Sequence, residues 1–369
     1  MKKIILLLCV MLCISATVAP ISYAARPNNS ASIVIEATTC RVLSEINAHC
    51  KLPMASTTKI MTALVVLENA NIDEIVTVPQ EAVGMEGSSI YLKKGEKLTV
   101  KDLLYGLMLR SGNDAAVALA IYVGGSVDEF VKMMNEKAAF LGAENTNFVN
   151  PHGLHHKNHY TTAYDLAIIT ACAMKNQNFC QIVATKAVTV GDNENESLRY
   201  LVNKNKILSL YEGGNGVKTG YTTDSGRCLV SASKRNGMQI ICVVLNHYSM
   251  WEDSMQFMTQ AYADYTMTEV LKNNYSVDGI DVIAGTECVT SAQTVEGAFY
   301  PLKKGEYQKV SYDEKITKHL VAPVSVGTEC GCVDVYLDNR LLFSKKIYTI
   351  ENIARKSIFD WSYWQLYEN

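Results

Sequence analysis

A serine and a lysine three residues apart are the first groups in this chain that could react together. Ser56 and Lys59 lie in the stretch 53–64, where the apolar residues from Ile60 onward predict a buried helix that begins near Pro53. Residues three apart share a helix face, so the lysine amine can reach the serine hydroxyl. A lysine whose pKa is lowered by burial can accept the serine proton and make the oxygen a nucleophile. The pair alone also fits a solvated helix face, so other residues must decide between the two interpretations.

A short polar break supplies the second pair of candidate groups. The tripeptide 111–113 (Ser-Gly-Asn) separates a predicted helix, capped by Thr99, from an apolar run that starts at Ala115. A loop between two buried helices holds its side chains rigidly, so both polar side chains could face a cleft. Ser111 is then a candidate proton relay, and Asn113 is a candidate hydrogen-bond donor to a substrate amide. Helix capping is the alternative interpretation, because serine and asparagine are common caps.

A third set of candidate groups lies on a predicted strand. Residues 218–220 (Lys-Thr-Gly) precede a hairpin in which Asn236 and Gly237 join two apolar runs. Gly220 stands where a ligand backbone could approach the strand closely. The sequence therefore predicts that a lysine, a threonine and a glycine follow one another on a strand of an apolar sheet.

Four histidines within eight residues invite a metal interpretation. They are His152, His155, His156 and His159. This loop is rich in glycine, proline and asparagine, lacks helical spacing and has no nearby pair of carboxylates, so we expect no metal site. A metal hydrolase that uses the loop is kept as an alternative, and it predicts loss of activity with a chelator.

The N-terminal residues predict export. Lys2 and Lys3 precede an apolar run at 4–14, and residues 22–24 (Ser-Tyr-Ala) offer a cleavage site, so residues 1–24 are predicted to be a signal peptide. Loss of this leader takes the formal charge from −3 to −5. We therefore expect no nucleic-acid partner, and we expect the mature chain at the cell wall or the outer face of the cytoplasmic membrane.

An odd number of cysteines remains after the leader. They are Cys40, Cys50, Cys172, Cys180, Cys228, Cys242, Cys288, Cys330 and Cys332. Their spacing predicts no disulfide framework, so most are expected to be small buried residues. A disulfide bridge between Cys40 and Cys50 is kept as an alternative.

The composition changes along the chain and suggests three mature regions. Residues 25–273 contain all the candidate groups and end in a predicted helix at 252–273. In residues 274–350, apolar and polar residues alternate within short segments that are separated by turns, and this pattern predicts a small all-β domain. Residues 351–369 form an aromatic tail that suits either a membrane interface or packing on the protein itself.

The three motifs resemble, in their order and context, those of the serine-type D-alanyl-D-alanine carboxypeptidases, the low-molecular-mass penicillin-binding proteins of peptidase family S11. The chain also has features of the branch found in spore-forming bacteria. The resemblance is carried by Ser56-Thr57-Thr58-Lys59, Ser111-Gly112-Asn113, Asn150-Pro151-His152-Gly153-Leu154, Gly216-Val217-Lys218-Thr219-Gly220-Tyr221-Thr222 and Ala322-Pro323-Val324. It implies a mixed α/β catalytic domain of the transpeptidase and β-lactamase type, with a five-stranded antiparallel sheet beside a helical cluster, and the small C-terminal β domain.

The resemblance also implies a role for each candidate residue. Ser56 would attack the carbonyl of the penultimate D-alanine of a peptidoglycan stem peptide, with Lys59 as the base and Ser111 as the proton relay. Asn113 would hold the substrate amide, and Lys218, Thr219 and Gly220 would bind the end that carries the carboxylate. Backbone N–H groups of Ser56 and Tyr221 would form an oxyanion hole. No cofactor or metal is implied, β-lactam antibiotics are implied as inhibitors, and the activity would serve peptidoglycan synthesis and cell shape.

Two further functions share these motifs. A class A β-lactamase would need a Glu-x-x-Leu-Asn pattern between Asn113 and Lys218, and the sequence has none. A penicillin-binding sensor or wall-binding scaffold would release no D-alanine from a peptide.

The histidines beyond His152 are expected on the surface. The tail is less clearly amphipathic and basic than the membrane anchor of the family.

Overall fold

The computed structural model describes residues 29–191 and 198–357. The predicted signal peptide at 1–24 and residues 358–369 of the predicted tail lie outside the described residues.

The first two thirds of the chain contain both helices and strands. In chain order the helices are α1 (Lys59–Asn69), α2 (Val100–Tyr105), α3 (Asn113–Gly124), α4 (Val127–Phe140), α5 (Ala163–Ala173), α6 (Gln177–Ala184), α7 (Ile207–Leu210) and α8 (Met250–Asp264). The strands among them are β1 (Ala31–Glu36), β2 (Val42–Ile46), β3 (Ile75–Thr77), β4 (Lys97–Thr99), β5 (Ala187–Val190), β6 (Arg199–Val202), β7 (Gly214–Thr222), β8 (Gly226–Arg235) and β9 (Met238–Leu245). A 3₁₀ turn (Ala55–Thr58) leads into α1, and a π-helical segment (Gly106–Arg110) extends α2.

A five-stranded antiparallel sheet separates two cores, as the resemblance implies. Its strand order is β2-β1-β9-β8-β7, so β7 is an edge strand. Successive residues of a strand point to opposite faces. Ile241 and Val243 of β9 accordingly pack against the helical cluster, whereas Cys242 and Val244 pack on the face that α8 covers.

Threonine side chains cap the starts of two helices, and one of these caps, Thr99, was predicted from the sequence. Thr99 forms a capping box with Asp102 at the start of α2. Thr162 accepts a hydrogen bond from the backbone of Asp165 at the start of α5. The prediction for the first helix was wrong in one detail, because helical structure begins at Ala55 rather than at Pro53.

The last third of the chain is a β region. Its strands are β10 (Tyr265–Leu271), β11 (Ser276–Ile283), β12 (Val289–Thr294), β13 (Ala298–Lys303), β14 (Val310–Ile316), β15 (His319–Val321), β16 (Glu329–Leu337) and β17 (Arg340–Thr349). Six of them form one sheet in the order β14-β16-β17-β12-β11-β15, and β10 pairs with β13. The predicted helix at 252–273 was therefore too long, since α8 ends at Asp264 and a strand follows at once.

An arginine joins the two regions. The Arg41 guanidinium lies between the rings of Tyr265 and Tyr300, 5.1 and 5.0 Å from their centroids. It also donates hydrogen bonds to the backbone oxygen of Pro301 and, at 2.7 Å, to the Glu306 carboxylate. The turn between β1 and β2 is thus fastened to β10 and β13.

Two further findings concern all the described residues. All nine cysteines of the described residues are free thiols, Cys40 and Cys50 included. The expectation that most of them are buried was wrong, because only Cys228, Cys242 and Cys330 are. Among the described residues, no helix combines the length and the hydrophobicity that a membrane span requires.

Candidate active site

Ser56 lies in a strained 3₁₀ turn that leads into α1. The residue before it, Ala55, has a φ of 48°, which is uncommon for a residue with a side chain. Two hydroxyls brace the turn: Thr57 Oγ1 donates to the Met54 carbonyl at 2.6 Å, and Thr58 Oγ1 donates to the Ala55 carbonyl at 2.7 Å. The serine side chain is thereby presented ahead of α1 rather than along the helix face.

Two glycines allow the backbone to close around Ser56. A Cβ on Gly153 would lie 2.0 Å from the Ala55 carbonyl oxygen and 2.9 Å from Ser56 N. A Cβ on Gly220 of β7 would lie 3.2 Å from Ser56 N. The loop that carries Gly153 and the edge strand β7 therefore flank the serine on two sides.

The Lys59 amine makes three contacts inside this site. It lies 3.1 Å from Ser56 Oγ, and the lysine has no exposed surface. Its other two contacts are shorter: 2.7 Å to Asn113 Oδ1 and 2.6 Å to the backbone oxygen of His152. Both of these oxygens can only accept hydrogen bonds. The amine must therefore donate to each of them.

The pKa of Lys59 lies well below its usual value, and burial is the main cause. The Lys218 cation lowers it further, the Asp114 carboxylate opposes the shift, and Lys204 adds a smaller lowering effect. A neutral amine has two N–H groups and one lone pair. Because Asn113 and His152 take both N–H groups, the lone pair is left for the proton of the Ser56 hydroxyl.

Ser111 lies in the predicted break but has no hydrogen-bond partner. It follows the π-helical segment with a φ of 65°, and its Oγ atom is buried without a partner among the described residues. A buried hydroxyl without a partner costs about 1–3 kcal/mol. The Ser111 hydroxyl is therefore available for a hydrogen bond to a bound ligand.

Asn113 connects the serine site to an outer loop. Its Nδ2 donates to the Glu86 carbonyl and its backbone N–H donates to the Ser88 carbonyl at 2.7 Å. No side chain of this tripeptide caps α3, since Asn113 is its first residue and the preceding Gly112 makes no side-chain cap. Ser111 is, however, the C-terminal cap residue of the π-helical segment.

Asp114 is a structural residue that sequence reasoning missed. Its carboxylate is buried and accepts hydrogen bonds from Ser89 Oγ and from the backbone N–H groups of Ile90 and Leu92. It fixes the loop that covers Asn113. An acidic residue at the start of a helix is so common that its type and position do not indicate this role.

The strand β7 brings the third motif to the same place. Lys218 is buried, and burial together with the Lys204 cation lowers its pKa to about 7. Its amine donates to the Thr219 carbonyl at 2.9 Å. Thr219 and Gly220 follow on the strand, whereas the Tyr221 side chain is 67% exposed. One side of this edge strand has no neighbouring strand in the sheet.

Lys204 is a third lysine of the site, and the sequence analysis assigned it no role. Partial burial and the Arg110 cation lower its pKa, and it contributes to the low pKa of both Lys59 and Lys218. Its amine lies 3.2 Å from Ser88 Oγ. No sequence signal distinguishes this lysine from others in polar turns.

The histidines divide into two groups. His155 and His156 are exposed, as expected, but the expectation was wrong for His159, which is buried with Nε2 2.8 Å from Thr58 Oγ1. Burial lowers the pKa of His152 to about 3 and that of His159 to about 4, with smaller effects from nearby cations. The described part of the chain contains no group of three or more His, Cys, Asp or Glu residues that could hold a metal.

Known proteins share both the sequence and the fold of this chain. The family model described as D-alanyl-D-alanine carboxypeptidase, peptidase S11, matches residues 19–249, and the model for the C-terminal domain of penicillin-binding protein 5 matches residues 265–355. The D-alanyl-D-alanine carboxypeptidase DacF of Bacillus subtilis is 34% identical over 333 residues, which cover 88% of this chain and 85% of the relative.

Solved structures agree with these sequence matches. Penicillin-binding protein 5 from Haemophilus influenzae superposes with a TM-score of 0.72 at 26% identity, covering 90% of this chain and all of that one. A mutant of the Streptomyces K15 DD-transpeptidase has a TM-score of 0.60 at 37% identity and covers 63% of this chain and 97% of that one. The chain belongs to the D-alanyl-D-alanine carboxypeptidases of peptidase family S11, a family of serine hydrolases.

Proposed function

We propose that this carboxypeptidase removes the terminal D-alanine of a peptidoglycan stem peptide through an acyl-enzyme on Ser56. The observation that carries the proposal is the environment of the Lys59 amine, which is buried, has a lowered pKa and lies 3.1 Å from Ser56 Oγ. Its two N–H groups are used by Asn113 and His152. A base with its lone pair directed at a serine hydroxyl is what nucleophilic catalysis requires.

The reaction has two steps. Ser56 Oγ bonds to the carbonyl carbon of the penultimate D-alanine while its proton passes to Lys59. The C–N bond then breaks, and the leaving amine takes a proton relayed through Ser111, whose hydroxyl has no partner in the fold. Water attacks the resulting ester, restores Ser56 and releases the shortened peptide. The attacking water is the one reactant that the enzyme and the peptide do not supply.

The remaining motif residues hold the substrate. The Lys218 cation and the Thr219 hydroxyl bind the terminal carboxylate, and Gly220 lets the peptide approach β7, which is an edge strand. Asn113 contacts the substrate amide. The backbone N–H groups of Ser56 and Tyr221 bind the carbonyl oxygen as it becomes negative, which is usually a large contribution to acyl transfer.

The same serine reacts with β-lactam antibiotics, which present a strained amide to the site. The partners of the enzyme are therefore peptidoglycan stem peptides and β-lactams, and its reaction serves wall synthesis and cell shape. It acts outside the cytoplasm after export by the segment 1–24. A peripheral membrane contact is inferred only for the aromatic residues from 358 onward. Ile353, near the start of the predicted tail, is buried and pairs with Val324 of the β region.

The direct test measures D-alanine released from a pentapeptide that ends in D-Ala-D-Ala. The mature enzyme should release D-alanine, Ser56→Ala should not, and Ser209→Ala, a change of an exposed serine on α7, should match the parent. Addition of a chelator should change nothing. Equal release by the parent and Ser56→Ala would overturn the serine mechanism. No release by a parent that still reacts with penicillin would show a sensor instead of a carboxypeptidase.

A further inference from the structure

The walls that flank Ser56 meet again at one end of the cleft. Gly153 and Gly220 both touch the turn of Ser56. Two residues beyond Gly153 and four beyond Gly220, the side chains of His155 and Asp224 approach each other, with His155 Nε2 3.8 Å from Asp224 Oδ1. This pair therefore connects the loop that carries Gly153 with the turn that follows β7.

The turn that carries Asp224 is held firmly. Thr222 N–H donates to Ser225 Oγ at 3.0 Å, and Ser225 N–H donates to Thr222 Oγ1 at 3.0 Å. Ser225 is buried, so these bonds are shielded from water. The Asp224 side chain is 53% exposed on a fixed backbone, and a ligand in the cleft can reach it.

The direction of the bound peptide follows from the proposed function, on which this inference rests. If the terminal carboxylate lies at Lys218 and Thr219 and the reacting carbonyl lies at Tyr221 N–H, the peptide runs antiparallel to β7. A peptide advances by about 3.3 Å per residue, so the residue before the two alanines lies beside the β7–β8 turn. A long side chain at that residue reaches the Asp224 carboxylate.

The charges of the cleft have opposite signs at its two ends. Lys59, Lys204 and Lys218 gather at the end that would take the carboxylate, where Lys204 lowers the pKa of both other lysines and Lys218 lowers that of Lys59. At the other end, the Asp224 carboxylate lies beside the imidazole of His155, at a distance too long for a good hydrogen bond. The nearby Arg227 guanidinium lies instead over the ring of Tyr248, 4.9 Å from its centroid.

We propose that Asp224 is a specificity residue, which binds a cationic side chain on the residue immediately before the two terminal alanines. An amine on that side chain replaces the weak contact with His155 and pairs with the Asp224 carboxylate. The enzyme thereby selects stem peptides whose third residue from the end is a diamino acid with a free side-chain amine.

The test uses peptides that differ only in this charge. The substrates are acetyl-L-Lys-D-Ala-D-Ala, its Nε-acetyl form and the peptide with norleucine in place of lysine. The rate constant kcat/KM for D-alanine release is measured for the parent, for Asp224→Asn and for Asp281→Asn, a change of an exposed aspartate on β11. The parent should prefer the free amine by roughly 3- to 10-fold, and salt should reduce the preference. Asp224→Asn should lose it by slowing only the amine substrate, while Asp281→Asn should keep it.

Several outcomes would overturn the proposal. An equal preference in the parent and in Asp224→Asn would exclude the carboxylate as the selecting group. Equal slowing of all three substrates by Asp224→Asn would assign the residue a structural role only. If the parent released D-alanine from none of the peptides, the result would contradict the proposed carboxypeptidase activity, and with it the subsite that depends on this activity.

Discussion

The pKa of Lys218 decides how well the free enzyme holds a carboxylate. Only the protonated amine attracts the substrate, and burial lowers the pKa of this amine to about 7. The cationic fraction therefore falls as the pH rises through this value. The lowered pKa of Lys59 has the opposite consequence, because the base works only when it is neutral, so its contribution grows with rising pH.

We predict that kcat/KM for D-alanine release falls as the pH rises above about 7, and that Lys218→Arg removes this fall. A guanidinium stays charged to a pH of roughly 12, so the variant keeps its cation throughout. The measurement is a pH profile of kcat/KM, which reports groups of the free enzyme. Lys272→Arg, a change of an exposed lysine in the β region, should keep the profile of the parent. A fall near pH 7 that persists in Lys218→Arg would assign it to another group.

Single residues differ in how far the sequence alone could place them. Ser56, Lys59 and Asn113 belong to motifs, and hydrogen bonds join them in the structure. Asp114 and His159 act through contacts with segments that lie far away in the sequence, namely the loop around Ile90 and the hydroxyl of Thr58. Neither their type nor their spacing signals such contacts.

At the scale of elements, the loop that carries Gly153 is fixed against the turn of Ser56. Asn150 Oδ1 accepts hydrogen bonds from the backbone N–H groups of His152 and Gly153. The Pro151 carbonyl accepts another from Thr62 of α1 at 2.6 Å. The position of the serine therefore depends on a loop about a hundred residues away.

We predict that Gly153→Ala reduces acylation by at least roughly 100-fold and destabilises the protein by about 2–4 kcal/mol. The residue has a φ of +91°, and a Cβ would clash with the Ala55 carbonyl oxygen at 2.0 Å, so the turn must move. The control is Gly142→Ala, at a φ of +75° with nothing within 4 Å, which should cost about 1 kcal/mol and leave activity intact. Acylation rates and denaturant unfolding measure both effects. Similar losses in the two variants would refute the steric argument.

The sequence predicts an element well when the signal for that element comes from residues close together in the chain. The β8–β9 hairpin was predicted from Asn236 and Gly237, and both have positive φ in the turn. The strand Tyr265–Leu271 was missed because it follows α8 without a turn residue and pairs with Ala298–Lys303, some thirty residues later. Pairing over that distance leaves no local pattern.

At the scale of the whole molecule, Arg41 fastens the sheet of the active site to the β region. We propose that residues from Tyr265 onward form a separate unit, held by this contact. The arginine and its partner Glu306 are largely buried, with side-chain exposures of 14% and 19%. Stacking between two aromatic rings and a shielded ion pair together make the contact stronger than a surface salt bridge.

We predict that Arg41→Ala speeds amide hydrogen exchange in Tyr265–Leu271 and Ala298–Lys303. We expect kcat to change by less than about twofold, since these side-chain contacts of Arg41 involve no residue of the three motifs. Exchange detected by mass spectrometry is the measurement. Arg235→Ala is the matched control, because Arg235 lies over Tyr211 and Tyr262 within the first region. Its effect should remain near those rings. Unchanged exchange of the two strands in Arg41→Ala would contradict the fastening role.

The central claim is that Lys59 activates Ser56, and acylation by a β-lactam tests it most directly. The measurement is the second-order acylation rate at neutral pH, with the modified residue identified by mass spectrometry, for the parent, Ser56→Ala and Lys59→Ala. We predict a single adduct on Ser56 in the parent, none in Ser56→Ala, and acylation slowed at least roughly 100-fold in a folded Lys59→Ala. An adduct on another residue, or an undiminished rate in folded Lys59→Ala, would contradict the claim.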